Sequence, residues 1–85
     1  VTKQEFLTIY ESSKFNLGEY IVVIDNITDE PLVMGCAFDN CIWKIYQTKE
    51  KGGHYVIKEF LNEIQAFNYF YELLLSRHNY LSGNS

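Results

Sequence analysis

Val33-Met34-Gly35-Cys36-Ala37-Phe38-Asp39-Asn40-Cys41-Ile42-Trp43-Lys44-Ile45-Tyr46 is the stretch that decides the fold. Two runs of apolar and aromatic residues flank Asp39-Asn40, residue types that tolerate positive φ and suit a two-residue hairpin loop. With that loop, Phe38 pairs with Cys41, Cys36 with Trp43 and Met34 with Ile45. All six side chains then share one face, because side chains alternate along a strand. The other face pairs Ala37 with Ile42, Gly35 with Lys44 and Val33 with Tyr46. It is mixed rather than polar.

Working outward, Tyr20-Ile-Val-Val-Ile24 is β-branched and without polar alternation, as in a strand covered on both sides. Asp25 to Pro31 reads as a turn, with the next strand starting at about Leu32 because proline donates nothing to a ladder. Gly52-Gly53 marks another turn, followed by a strand from His54 to Lys58 with Tyr55 and Ile57 on one face. At the N-terminus, Thr2 and Glu5 have the spacing of a capping box, ahead of a helix from Lys3 to Ser12. Asn62 and Gln65 repeat that signature. Ile64, Phe67, Phe70 or Tyr71, and Leu74 then follow a helical period, predicting a helix from Glu63 to Arg77. Leu81 to Ser85 is a polar tail expected to fray. The order is that of an α+β domain: an N-terminal helix, a four-stranded antiparallel meander, and a C-terminal helix packed on the sheet.

The chain of 85 residues suits a single domain, and its 16% aromatic content helps so short a chain build a core. No apolar run approaches the roughly 18 residues of a membrane span, and there is no secretory h-region, so no membrane association is expected. The chain starts at Val1 without Met, which leaves room for a leader or initiator segment ahead of it. Two cysteines make no disulfide framework and point to free thiols in a reducing, cytoplasmic compartment.

Charge is uneven. The net charge is −4, yet no basic residue occurs between Lys14 and Lys44, a stretch holding Glu19, Asp25, Asp29, Glu30 and Asp39. Such a block repels nucleic acid and favours a basic protein surface. Aromatic stacking platforms for single strands sit in positive grooves, which argues further against a nucleic-acid partner. His54 and His78 have no sequence neighbours that suggest a metal set, and no catalytic constellation can be assembled, so neither cofactor, metal nor enzymatic activity is expected. Cys36 and Cys41 read as small buried hydrophobes.

Cys41-Ile-Trp43-Lys-Ile-Tyr46, Glu50-Lys51-Gly52, Phe60, Glu63-Ile-Gln65-Ala66, Phe70 and Leu73-Leu74 together resemble small immunity proteins of bacterial polymorphic toxin systems, with the immunity protein 59 group nearest. Lys51 stands where that pattern favours Arg, and Gln65 where it favours an acid. The resemblance implies a non-catalytic protein that binds and neutralises a cognate toxin with a basic surface. A different class, a self-associating structural or regulatory module that binds a ligand through its sheet, also suits these residues, as does a homodimer. If both helices cover one sheet face, the opposite face forms a docking surface. Val33, Ile42, Lys44 and Tyr46 would then form its centre, with Tyr46 as anchor, and Asp25, Asp29, Glu30 and Asp39 its acidic rim. The first helix covering that face instead would make a three-layer domain.

Overall fold

A computed structural model describes residues 1–81. Helix α1 (Lys3–Ser13) precedes four strands, β1 (Ile21–Ile24), β2 (Val33–Asp39), β3 (Ile42–Thr48) and β4 (His54–Phe60), and helix α2 (Glu63–Leu81) follows them. The fold is α+β, with α2 packed on the sheet through β2, β3 and β4. Helix α2 runs one turn beyond the expected Arg77, and β4 extends to Phe60. Of the expected frayed tail, residues 82–85 lie outside the described residues.

The helix starts follow the capping chemistry. Thr2 Oγ1 accepts from Glu5 N at 3.2 Å, and Glu5 Oε1 accepts from Thr2 N at 2.9 Å. Those bonds from the Thr2 backbone and hydroxyl hold the Glu5 carboxyl below its usual pKa. Asn62 Oδ1 accepts from Gln65 N at 3.1 Å and caps α2.

Both helices lie over one face. Phe6 of α1 packs on Phe67 and Phe70 of α2, with ring centroids 5.5 and 5.2 Å away. Beneath them Met34, Cys36 and Ile45 of the sheet are buried together with Ala66 and Leu74. Trp43 is half-buried and meets Phe67 edge-on at 5.4 Å. The expected row of core residues is thus correct at its centre but frayed at one end. Phe38, next to the hairpin turn, is 53% exposed, and Ile64, in the first turn of α2, is 49% exposed.

Three features of the sheet correct the sequence reading. The hairpin turns at Asn40-Cys41, not Asp39-Asn40. Both residues have positive φ (52° and 63°), the signature of a type I′ turn. Phe38 therefore pairs with Trp43, Cys36 with Ile45 and Ala37 with Lys44. The slip is an even number of residues, so each side chain keeps its expected face, although Cys41 leaves the strand for an exposed turn. The second correction is direction: in the order β1-β2-β3-β4, β1 runs parallel to β2, with Ile21 beside Val33 and Ile24 beside Cys36. The third is a slip in the β3–β4 ladder, where Ile45 pairs with Lys58 but Tyr46 with Val56, leaving Ile57 as the extra residue of a bulge.

Parallel strands need a crossover, usually a dozen residues or more. Here residues 25–32 suffice because β1 is only four residues long. Asp25 and Leu32, at the two ends of this crossover, have φ of 72° and 56°, left-handed conformations that reverse the chain. The crossover lies on the sheet face opposite the helices. A second, small core forms under it: Val33, Ala37 and Tyr46 are fully buried, with Val23 and Ile27 packed against them. Neither an open face nor a three-layer arrangement with α1 occurs.

Gly35 is the contact that admits this core. A methyl group at its Cα would lie 2.2 Å from Cε1 and Cζ of Tyr46. Gly35→Ala is expected to destabilise the domain by about 1–3 kcal/mol through overpacking. In a Tyr46→Ala background most of that cost should disappear, a coupling that urea melts of the four-variant cycle would measure.

Candidate functional site

The crossover carries most of the acidic side chains singled out in the sequence, and it is fastened as a strap across the back of the sheet. Its first fastening starts from a buried ring and ends in a part-buried bond. Tyr46 projects from the middle of β3, and its hydroxyl donates to the Asn26 carbonyl at 2.6 Å. Burial pushes the Tyr46 phenol above its usual pKa. The second is buried: Thr48 Oγ1 accepts from Val33 N at 2.7 Å, where the strap re-enters the sheet. This bond accounts for a fully buried threonine at the end of β3.

The third fastening joins the strap to the β3–β4 turn. Asp29 O accepts from Gly53 N at 2.9 Å, and Asp29 Oδ1 accepts from His54 N at 2.9 Å. The same carboxylate oxygen lies 2.5 Å from His54 Nδ1. The turn glycines make the approach feasible. Gly52 and Gly53 both have φ of 88°, and a Cβ on Gly52 would come within 2.8 Å of Asp29 O. The His54 ring in turn packs edge-on against Tyr46 at 5.9 Å. Hydrogen bonds from the His54 side chain, then from its backbone, hold the Asp29 carboxyl below the usual aspartate range.

The eight residues expected at the docking surface therefore separate into three groups. Val33 and Tyr46 are fully buried and cannot meet a partner, since they support the strap from below. The anchor role expected for Tyr46 fails for that reason. Ile42 and Lys44 are half-buried beside the strap, and Lys44 Nζ pairs with Asp39 at 3.0 Å. Asp25, Asp29, Glu30 and Asp39 all reach solvent. Asp25 is bridged by Lys3, Asp29 by His54 and Asp39 by Lys44. Glu30 forms no ion pair among the described residues, and its own N–H donates to Thr28 Oγ1 at 3.2 Å. On the same face, Val56 pairs with Tyr46 and is 40% exposed, an apolar neighbour missing from the expected set.

The remaining candidates for chemistry are structural. His78 Nδ1 accepts from Asn16 N at 2.8 Å, and its ring packs on Phe15. Burial, with a smaller effect from Asp25 and Glu63, pushes the Cys36 thiol up to about 12, so it stays protonated and unreactive. Among the described residues, no three His, Cys, Asp or Glu side chains converge as a metal ion would require. No family model matches this chain, and searches of curated proteins and of solved structures return no match.

The Asp29 fastening has a defined pH dependence. Its carboxyl titrates below the ordinary aspartate value of 3.8, so the bond to His54 stabilises the fold fully above that value. The contribution is lost as pH falls through the lower folded pKa. Asp29→Asn should therefore lower the urea midpoint at neutral pH and show a flatter decline as pH falls below about 4. A decline as steep as that of the unaltered chain would remove Asp29 from the acid response. Tyr46→Phe, which keeps the ring and deletes the hydroxyl, should cost about 0.5–1.5 kcal/mol, the net value of the part-buried bond to the Asn26 carbonyl.

Proposed function

We propose that this chain is a non-catalytic binding protein that neutralises a cognate bacterial toxin in the cytoplasm by direct contact, through the strap side of its sheet. The observation that carries the proposal is the strap itself. It presents the carboxylates of Asp29 and Glu30 to solvent on backbone fastened at Asn26, Asp29 and Val33. A loop held in one conformation loses little entropy on binding. The resemblance to polymorphic-toxin immunity proteins supplies the class of partner, and a basic surface, as on a toxin that attacks nucleic acid, would complement the acidic strap. Two free cysteines agree with a reducing compartment. No helix among the described residues is long and apolar enough to cross a membrane.

With Tyr46 withdrawn into the core, the apolar part of the surface moves to Val56 and Ile42, which lie on the strap side of β4 and β3. Glu30 is the steering group of choice, because altering it breaks no fastening of the strap.

The direct test pairs the chain with the toxin domain encoded beside it. Expression of that domain alone should arrest growth of a bacterial host, and co-expression of this chain should restore it. Continued arrest with the folded chain present would overturn the assignment. For the purified pair, Glu30→Lys should slow association several-fold at low salt and much less at high salt, since screening removes long-range steering. Identical association rates at both ionic strengths would take the strap out of the interface.

A further inference from the structure

On the helix side of the sheet, a cleft of about 270 Å³ opens between the last turns of α2 and the paired residues Met34 and Gln47. Leu73, Ser76, Arg77 and Tyr80 of α2 complete its walls. Arg77 is the one arginine of the sequence. Its guanidinium lies over the Tyr20 ring, 4.9 Å from the centroid, and 6.0 Å from that of Tyr80. Its Nε–H is buried and meets no acceptor among the described residues. Nor does any carboxylate of the described residues form an ion pair with it.

This is an unusual way to hold an arginine. Guanidinium groups that leave water are normally compensated by carboxylates or carbonyls. Here aromatic rings hold the group by cation–π contact, and the buried Nε–H has no acceptor among the described residues. The position near the C-terminal end of α2 favours a cation through the helix dipole, but supplies no acceptor for the Nε–H. Glu19 and Glu50 line a second cleft that Arg77 also borders, where they would repel an anion. The Met34–Gln47 cleft has no carboxylate in its walls.

We propose that this cleft binds a carboxylate carried on an apolar body, with the Arg77 guanidinium as its anion partner. Met34, Leu73 and the Tyr80 ring provide apolar walls, while Gln47 and Ser76 offer further hydrogen-bond donors. A single delocalised cation without lysine or a second arginine suits a planar monoanion, which a guanidinium can meet with two parallel bonds, better than a phosphate dianion. The carboxylate has two sources, a small arylalkanoic acid or the C-terminus of a peptide ending in an aromatic residue.

The sequence makes the test simple, because a single arginine gives a single Nε–H resonance in a ¹⁵N-labelled sample. Phenylacetate and a pentapeptide ending in phenylalanine are titrated separately, with phenethylamine, the C-terminally amidated peptide and inorganic phosphate as controls. At least one of the two carboxylates should move the Arg77 resonance saturably, with half-saturation at about 1–10 mM or below. The arm that saturates at lower concentration identifies the source. Ser76 is exposed, so Ser76→Glu places a like charge at the cleft without disturbing the core and should weaken binding about tenfold or more. Arg77→Lys, which keeps charge but removes the fork, should weaken it similarly, read from the backbone amide resonances of Gln47 and Ser76 because no arginine signal remains. No saturation by either carboxylate, an equal response to the amide or amine, preferential binding of phosphate, or unchanged binding in Ser76→Glu would each overturn the proposal.

Discussion

Tyr46 is the residue on which the rest of the structure depends. A tyrosine in the middle of a strand, fully buried on the face away from the helices, needs a cover for its ring and an acceptor for its hydroxyl. The crossover between β1 and β2 supplies both, through Ile27 and the Asn26 carbonyl. That same crossover allows β1 to run parallel to β2. An antiparallel β1 joined by a tight turn would leave the back of β3 open and the Tyr46 ring in water. The direction of the edge strand and the second core are thus one solution to a single burial problem. Gly35 completes it from below, since any side chain at that position would occupy the space of the ring.

Elements whose signals are local could be read from the sequence. Thr2 with Glu5 and Asn62 with Gln65 mark helix starts because each cap lies within one turn. Met34, Cys36, Trp43 and Ile45 keep their shared face even though the hairpin register slips, since the slip preserves parity. By residue type Asp39-Asn40 is the better turn, since cysteine has no special tolerance for positive φ. Tertiary packing selects Asn40-Cys41, and Cys41 accepts a left-handed φ as the consequence. Strand direction is not a local property. Asp25 to Pro31 has the composition of a simple turn, and nothing in those residues alone reveals that they cross the sheet. The acidic residues were correctly placed at the surface by charge. The choice of Tyr46 as an exposed anchor failed because alternation assigns a face without saying what covers it. The telling signal, Gly35 opposite an aromatic residue, exists only in the observed register, because an Asp39-Asn40 turn sets Gly35 against Lys44.

The acidic strap has less free charge than its sequence suggests. Lys3 and Lys44 each offset one carboxylate, whereas His54 offsets Asp29 only when it is protonated. Exposed pairs of this kind contribute little to stability, and their local fields largely cancel at the distance of an approaching protein. Their main effect is geometric. Lys3 ties the start of α1 to the start of the strap, while His54 ties the strap's middle to the β3–β4 turn. The free charge of the strap then centres on Asp29 and Glu30, so the proposed steering of a basic partner would depend on few groups placed accurately rather than on a diffuse negative field.

Placement of the two candidate surfaces follows from the same topology. Residues 33–39 and 42–48 alternate between the helix side, where Met34 and Gln47 line the Arg77 cleft, and the strap side, where Val33 and Tyr46 support the crossover. Each strand of the central hairpin therefore serves one surface with its even-spaced residues and the other with the residues between them. A ligand on one side cannot touch a partner on the other, but both rest on the backbone of β2 and β3. The tight fit of the Tyr46 ring on Gly35 makes that backbone difficult to shift without breaking the second core. A ligand in the proposed cleft would thus reach the strap only by a change large enough to unseat Tyr46, and the two proposed surfaces would act independently while that ring stays in place.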